Sequence, residues 1–260
     1  MVIAQISDTH IICPSIGSNK VIVEERIRNL KRCANTIKNL VNKPDVIIHT
    51  GDVSHNGLIE EYKIVSDILN PLNIPILYTP GNRDKRENLK LIFNNFEIRS
   101  LKDNFFIYKK DLKGFRLISM DTHCETSNMG EFTNQRLEIF SQILLEKQSM
   151  PTAIFMHHPP FDVSVSKIKN IEYISEKLFP KFIEILKKHN NLVGLFCGHI
   201  HRNIKRSINN LVTYTMPPIA LDLSKDKLIT PNFRKIQFLL HSHSENTGIL
   251  TKKNISSIIQ

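Results

Sequence analysis

The sequence predicts an α/β fold of stacked sheets with helices outside. Two observations predict it. From residue 2 to about 93, strand-sized apolar runs alternate with stretches whose apolar residues recur every three or four positions. After that the rhythm changes to hairpins and strands. Strand–helix units followed by hairpins suit packed layers around a shared core.

The elements follow in order. Val2–Ser7 reads as a buried strand. Ile27, Leu30, Ala34, Ile37 and Val41 mark one helical face, which Pro44 ends. Asp45–Thr50 is a second strand, Leu58–Leu69 a helix closed by Asn70-Pro71, Ile74–Tyr78 a third strand and Lys85–Phe93 a short helix. Asn104–Tyr108 and Phe115–Ser119 flank a hairpin turn at Lys109–Gly114. The loop Asp121–Phe132 leads to a helix that Thr133 can cap. Thr152–Met156 and Leu192–Cys197 are strands, and Ile171–His189 reads as a helix broken at Pro180. From Asn203 on, the chain reads as strands and turns.

At 260 residues with 41% hydrophobic content, the chain can bury a full core, and one domain over 1–260 is expected, with about 203–260 strand-rich. Its apolar runs are strand-sized, such as Val46-Ile47-Ile48, far short of the roughly 20 residues of a membrane span. Asp8 and His10 interrupt an apolar start that lacks a basic leader. Cys13, Cys33, Cys124 and Cys197 are widely spaced and form no CxxC pair. A cytoplasmic protein with reduced thiols is the expectation. The net charge is +10, from 35 basic and 25 acidic residues, yet the basic pairs are scattered. That distribution fits a general pull on small anionic substrates better than a nucleic-acid groove. The oligomeric state is left open.

The unusual polar residues fall at strand ends. Asp8-Thr9-His10 follows the first strand, Gly51-Asp52 the second and Gly81-Asn82-Arg83-Asp84 the third. His157-His158 follows Thr152–Met156, and Gly198-His199-Ile200-His201 follows Leu192–Cys197. A lone DxH or GD means little. Five such motifs, each closing a strand, form a specific pattern, because carboxyl ends of strands are where open α/β sheets build sites. Carboxylate and imidazole donors without thiolate suit Mn, Fe or Zn. In an extended segment both residues of a DxH or HxH pair face one side, and glycines before Asp52, Asn82 and His199 permit tight turns.

The series DTH…GD…GNRD…HH…GHIH resembles the calcineurin-like metallophosphoesterase superfamily from residue 2 to about 202. Met216–Leu223 is also similar to it. Gln5–Ile11, Met156–Pro160 and Cys197–Arg202 resemble bacterial class III cyclic nucleotide phosphodiesterases and glycerophosphodiesterases. The resemblance implies a four-layer αββα sandwich, the metallo-dependent phosphatase fold. It implies two divalent metal ions, one on Asp8, His10 and His201, the other on Asn82, His157 and His199, with Asp52 bridging. A small phosphate ester, a cyclic nucleotide first, would then be hydrolysed by a metal-bridging hydroxide.

One position departs from that pattern. Where most such phosphodiesterases carry Gly-Asn-His, this chain has Arg83. Its guanidinium can hold a phosphate but cannot give up a proton. The UDP-diacylglucosamine pyrophosphohydrolases also carry GNRD, so a pyrophosphohydrolase of a nucleotide-linked substrate is the alternative. A non-catalytic scaffold of the same fold is a third reading, disfavoured because all seven ligand positions are filled. Asp84 is expected to fix a neighbouring ligand by hydrogen bonding. His158, His55 and His123 are further candidates for supporting a ligand or touching substrate. His49 reads as packed within a strand, and His241 and His243 as surface strand residues.

Overall fold

The computed structural model describes residues 1–15, 19–93, 105–164, 171–225, 237–244 and 248–255. Two mixed sheets stack against each other, as expected from the sequence. The first contains β1 (Val2–Ile6), β2 (Val46–His49), β3 (Ile76–Tyr78), β10 (Gln237–Ser244) and β11 (Gly248–Ile255), in the order β11-β10-β1-β2-β3. The second contains β4 (Tyr108–Leu112), β5 (Phe115–Ser119), β6 (Thr152–Phe155), β7 (Leu192–Cys197), β8 (Ile204–Ile208) and β9 (Leu211–Thr215), in the order β4-β5-β6-β7-β9-β8. Each has a parallel centre, β1-β2-β3 and β5-β6-β7-β9, with antiparallel strands added outside it. Parallel strands covered on both faces need apolar residues throughout, which is why Val46, Ile47 and Ile48 are all buried.

Helices α1 (Lys20–Lys38), α2 (Ile59–Leu69) and α3 (Arg86–Ile92) contribute Leu30, Tyr62 and Leu89 to one core with Ile3 and Ile47. Phe155 and Phe196 of the second sheet belong to that core too. Helices α4 (Asn134–Leu145) and α5 (Phe179–Lys187) put Leu137, Phe140 and Phe182 into another, with Ile118, Ile154 and Leu195. Each fully buried Leu or Phe contributes roughly 1.5–3 kcal/mol through area removed from water. The helices therefore sort to opposite outer layers.

Several boundaries differ from the sequence expectation. The expected strand Asn104–Tyr108 begins at Tyr108 (Asn104 lies outside the described residues), and the strand runs on through Lys109–Leu112. The turn is therefore two residues, Lys113 and Gly114, with φ of 49° and 74°. Two consecutive positive φ values make the kind of turn that matches strand twist in tight hairpins. Gly114→Ala should cost about 1 kcal/mol, because left-handed backbone penalises a Cβ, while the added methyl meets nothing within 4 Å. A thermal melt should fall by about 2–4 °C for a chain of this size, with hydrolysis unchanged; no fall would mean the turn relaxes freely.

The expected helix from Ile171 begins only at Phe179, so Pro180 opens α5 rather than breaking it. Proline fits that position because a first-turn N–H has no helical partner anyway. Helix α1 starts earlier than its apolar face suggested and ends at Lys38, leaving Val41 98% exposed. His241, expected at the surface, is fully buried between the sheets. Its ring stacks on Phe196 with centroids 3.9 Å apart, and its nitrogens meet Gln5 Oε1 at 3.0 Å and Thr251 Oγ1 at 2.8 Å. The polar His-Ser-His alternation hid this, since Gln5 is 236 residues away and Thr251 lies on the next strand.

Candidate metal centre

All five motifs converge at the carboxyl ends of β1, β2, β3, β6 and β7. The loops are laced by main-chain bonds: Asp8 N donates to Gly51 O at 3.0 Å and His10 N to Asp52 O at 3.0 Å. Asp8, His10, Asp52, His199 and His201 all have positive φ, between 42° and 68°. Non-glycine residues avoid that region at a cost of order 1–3 kcal/mol each, and such strain gathers at functional sites. This corrects the picture of DxH and HxH as extended pairs. The chain leaves each strand and turns left-handed, which aims the ligand side chains instead.

One group of donors comprises Asp8, His10, Asp52 and His201, whose ligand atoms lie within 4.8 Å of one another. His201 Nε2 is 3.2 Å from Asp8 Oδ1, and His10 Nε2 is 3.4 Å from both His201 Nε2 and Asp52 Oδ2. The other group centres on Asn82 Oδ1, which is 3.1 Å from His157 Nε2 and 3.1 Å from His199 Nδ1. Asn82 Nδ2 faces Asn128 Oδ1 at 3.4 Å, which points the amide oxygen at the histidines. Asp52 Oδ2 is also 3.5 Å from His157 Nε2, so one carboxylate oxygen touches both groups.

The donor set suits cations. His157 Nδ1 bonds Thr50 O at 2.8 Å, and His201 Nδ1 bonds Leu223 O at 3.0 Å. A carbonyl only accepts, so each Nδ1 carries a proton and each Nε2 is the nitrogen that faces inward, where it can bind a cation once free of its own proton, the arrangement that orients metal-binding imidazoles. Glu172 Oε2 lies at ion-pair distance, 3.6 Å, from His199 Nε2, the ring nitrogen that does not meet Asn82. His10 is the exception, with a buried Nδ1 that has no partner. His157, His158 and His199 also cluster within 4.8 Å. However, His158 Nδ1 meets Thr122 Oγ1 at 2.9 Å and Nε2 meets Asn128 O at 3.1 Å. With both nitrogens engaged, His158 supports its neighbours and the oxygen of Asn82 completes the second group.

The electrostatics agree. Burial alone would raise the Asp8 carboxyl, but His201 and then His157 outweigh it and hold it at about 2. Burial opposes the Asp52 charge as well, and His157 and His10 overcome it, holding Asp52 well below the usual carboxylate range. For His157 the desolvation is outweighed by Asp52, which lifts it to about 9, whereas burial lowers His10 to about 4.

The remaining candidates fall into place. Asp84 is buried and accepts from Gly81 N at 2.8 Å, Ser54 N at 3.1 Å, Val53 N at 3.2 Å and Tyr62 Oη at 3.1 Å. It thus ties the Asp52 loop to the Asn82 loop through backbone rather than through a ligand side chain. Burial and the Asp52 charge push it up to about 7, against those N–H donors. Arg83 donates its backbone N to Asp52 Oδ1 at 2.8 Å, and its exposed side chain lines a cavity of about 370 Å³ with Asn82, Lys85, Glu87, His123 and Glu125. His123 is buried, with an unpartnered Nδ1, and burial and then Arg86 lower it to about 4. His49 is packed as expected, 3.1 Å from Thr9 Oγ1. The ring of His55 meets that of His10 edge-on, with centroids 5.6 Å apart.

Sequence reasoning missed Arg26, Asp222 and Glu172. Arg26 is 4% exposed and bonds Asp222 Oδ2 at 2.7 Å, His10 O at 3.0 Å and His55 Nδ1 at 3.3 Å. It lies on the buried face of α1 with Val23 and Leu30, and a charged residue at that apolar spacing was the signal the sequence offered.

Known proteins show the family to which this chain belongs. The family model described as calcineurin-like phosphoesterase matches residues 1–203. The chain belongs to this family. As a calcineurin-like phosphoesterase it is an enzyme, a metal-dependent hydrolase of phosphoric esters. It is 30% identical over 258 residues to a probable glycerophosphodiester phosphodiesterase, GpdQ, of Arcobacter nitrofigilis, covering 96% of this chain and 92% of that one. It is 22% identical to the 3′,5′-cyclic adenosine monophosphate phosphodiesterase CpdA of Vibrio vulnificus, covering 94% and 86%. Among solved structures, a dimetal phosphatase from Danio rerio superposes with a TM-score of 0.69 at 13% identity, over 98% of this chain and 99% of that one. That likeness shows the phosphatase fold. No helix among the described residues is long and apolar enough to cross a membrane.

Proposed function

We propose that this calcineurin-like phosphoesterase is a dinuclear phosphodiesterase acting on a small phosphodiester. Asp8, His10 and His201 would hold one divalent ion and Asn82, His157 and His199 the other, with Asp52 as the carboxylate shared between them. The observation that carries this is the position of Asp52 Oδ2, 3.4 Å from His10 Nε2 and 3.5 Å from His157 Nε2. Imidazole and carboxylate donors suit Mn, Fe or Zn. Once bound, such a pair supplies Lewis acidity and lowers the pKa of water toward neutrality.

The chain's own groups do the rest. Arg83 places a guanidinium at the cavity beside Asn82, where its fork can grip the oxygens of an anionic phosphate. Fixed by Asp52, the Arg83 backbone holds that side chain near the bridging carboxylate. Guanidinium cannot release a proton near neutral pH, so a departing alkoxide takes its proton from water, from a metal-bound group or from another histidine.

A 3′,5′-cyclic nucleotide and a glycerophosphodiester are the two substrates to compare, since relatives carry both names. Among the described residues the cavity wall combines charged and amide side chains with the imidazole of His123, so it offers hydrogen bonds to a sugar or polyol and a ring face to a nucleobase. Arg83 motivates a second reading, hydrolysis of a nucleotide-linked anhydride, whose leaving group needs no acid.

We also place the chain in one domain over 1–260, supported by the pairing of β10 with β1. A reducing, cytoplasmic setting is supported by four buried free cysteines. The test is a panel of cyclic nucleotides, glycerophosphodiesters, nucleotide anhydrides and monoesters, with Mn²⁺, Fe²⁺ or Zn²⁺. Diesters, including bis-p-nitrophenyl phosphate, should be turned over faster than monoesters, and a chelator should stop the reaction. Turnover confined to anhydrides would replace the first reading by the second.

A further inference from the structure

His55 is not among the seven proposed ligands, yet it is held as if for a task. It lies in the turn after β2, with its backbone N donating to Ile11 O at 3.0 Å. Its ring sits edge-on to His10, 5.6 Å between centroids. Arg83 lies close enough for its charge to reach the ring. His55 therefore borders the first donor group, within electrostatic range of the cavity residue Arg83.

Its tautomer is dictated. Arg26 Nη1 is 3.3 Å from His55 Nδ1. A guanidinium has donors only, so Nδ1 must be the acceptor and carries no proton. The ring is then neutral and its proton sits on Nε2. Arg26 cannot easily swing away. It is 4% exposed, bound through Nε and Nη2 to Asp222 at 3.2 and 2.7 Å, and through Nη1 to His10 O. His55 Nε2 has no partner among the described residues and is not a buried unsatisfied atom. On a half-buried ring against His10, that N–H is left without a partner among the described residues.

We infer that His55 is a substrate-binding residue, which donates its Nε2–H to a phosphoryl oxygen while Arg26 fixes its tautomer. This rests on the phosphodiesterase reading, and it gives phosphate a second donor beside Arg83. The chemistry recognised is the anionic phosphoryl group itself, whatever alcohol is attached.

Two side chains separate this role from a purely structural one. Glutamine can place an amide N–H near the position of Nε2, whereas asparagine can only replace the Nδ1 acceptor and keep Arg26 company. With Mn²⁺-loaded protein, His55→Gln should keep kcat/KM within about 5-fold of the parent, and His55→Asn should lose on the order of 10–100-fold, the range of one hydrogen bond to a charged group. Elemental analysis should find the metal content unchanged in both. Affinity for inorganic phosphate should fall in parallel for His55→Asn, a readout that needs no turnover. The opposite order, with Asn active and Gln not, would assign His55 to holding Arg26 and overturn the inference.

Long-range ¹H–¹⁵N spectra of the metal-free protein provide a check without any variant. An unprotonated Nδ1 and a protonated Nε2 are expected, and an Nδ1–H tautomer or an imidazolium at neutral pH would overturn the inference. If the parent protein hydrolyses no diester, the phosphodiesterase reading fails, while the tautomer and phosphate affinity still judge His55.

Discussion

Asp52→Ala should lower hydrolysis by at least about 10³-fold and cut bound metal from two ions per chain to one or none. Its carboxylate touches both donor groups, since Asp52 Oδ2 is 3.4 Å from His10 Nε2 and 3.5 Å from His157 Nε2. Its second oxygen accepts from Arg83 N at 2.8 Å. Truncation therefore removes the bridge, the charge that offsets two cations, and the anchor of the phosphate-gripping residue. Asp52→Asn keeps the Arg83 bond but not the charge, so its rate should fall between the two. Elemental analysis alongside initial rates checks this, and full turnover in the Ala variant would end the two-metal reading.

The metal-free protein carries a second signature of Asp52. Its folded pKa lies below the unfolded value of 3.8, so its pairing stabilises the fold above about pH 4 and is lost as pH falls. His157 is raised to about 9, so its share is complete below its ordinary value of 6.5 and is lost as pH rises through 9. Stability of the chelated parent should thus be highest between roughly pH 4 and 6.5 as far as this pair is concerned. In Asp52→Ala that hump should flatten.

Much of this centre could be read from the chain because its chemistry repeats. Each ligand motif closes a strand, and a strand-sized apolar run is a strong local signal, as with Val46–His49 before Gly51-Asp52. What escaped depended on distant partners. Arg26 and Asp222 are 196 residues apart, and neither has a neighbour in sequence that announces the pair. Glu172 meets His199 from an irregular stretch before α5, where apolar spacing imitated a helix. Strand β4 was obscured by Lys109, Lys110 and Asp111, which resemble a turn but suit the outermost strand of a sheet, where charge discourages further pairing. The ligand backbone was misjudged for another reason. Side-chain alternation assumes extended chain, and Asp8 and His10 have φ of 52° and 42°.

Gly81→Ala tests how tightly the two halves of the centre are coupled. A Cβ on Gly81 would lie 2.3 Å from Asp52 N, 2.3 Å from Asp52 Oδ1 and 2.9 Å from Asp52 Cγ. Contacts that short do not occur, so something must move. The Asp52 amide is backbone, held through His10 N on Asp52 O and through Asp84, which binds Gly81 N, Val53 N and Ser54 N together. Neither loop can retreat alone without breaking those bonds. The methyl therefore pushes Asn82 away from Asp52, which separates a ligand of one cation from the bridge to the other. Overpacking of this kind costs about 1–3 kcal/mol, and misplacing reactive groups by about 1 Å costs on the order of 10²-fold in rate. The variant should melt lower than the parent, lose at least that factor in kcat, and hold its ion on the Asn82 side more weakly. Gly114→Ala is the matching control, because it strains a turn without touching the centre and should keep its rate. If Gly81→Ala instead retains both ions and the full rate, the approach of the two loops has slack, and the close Asp52–Gly81 contact is not what sets the spacing between the metal positions.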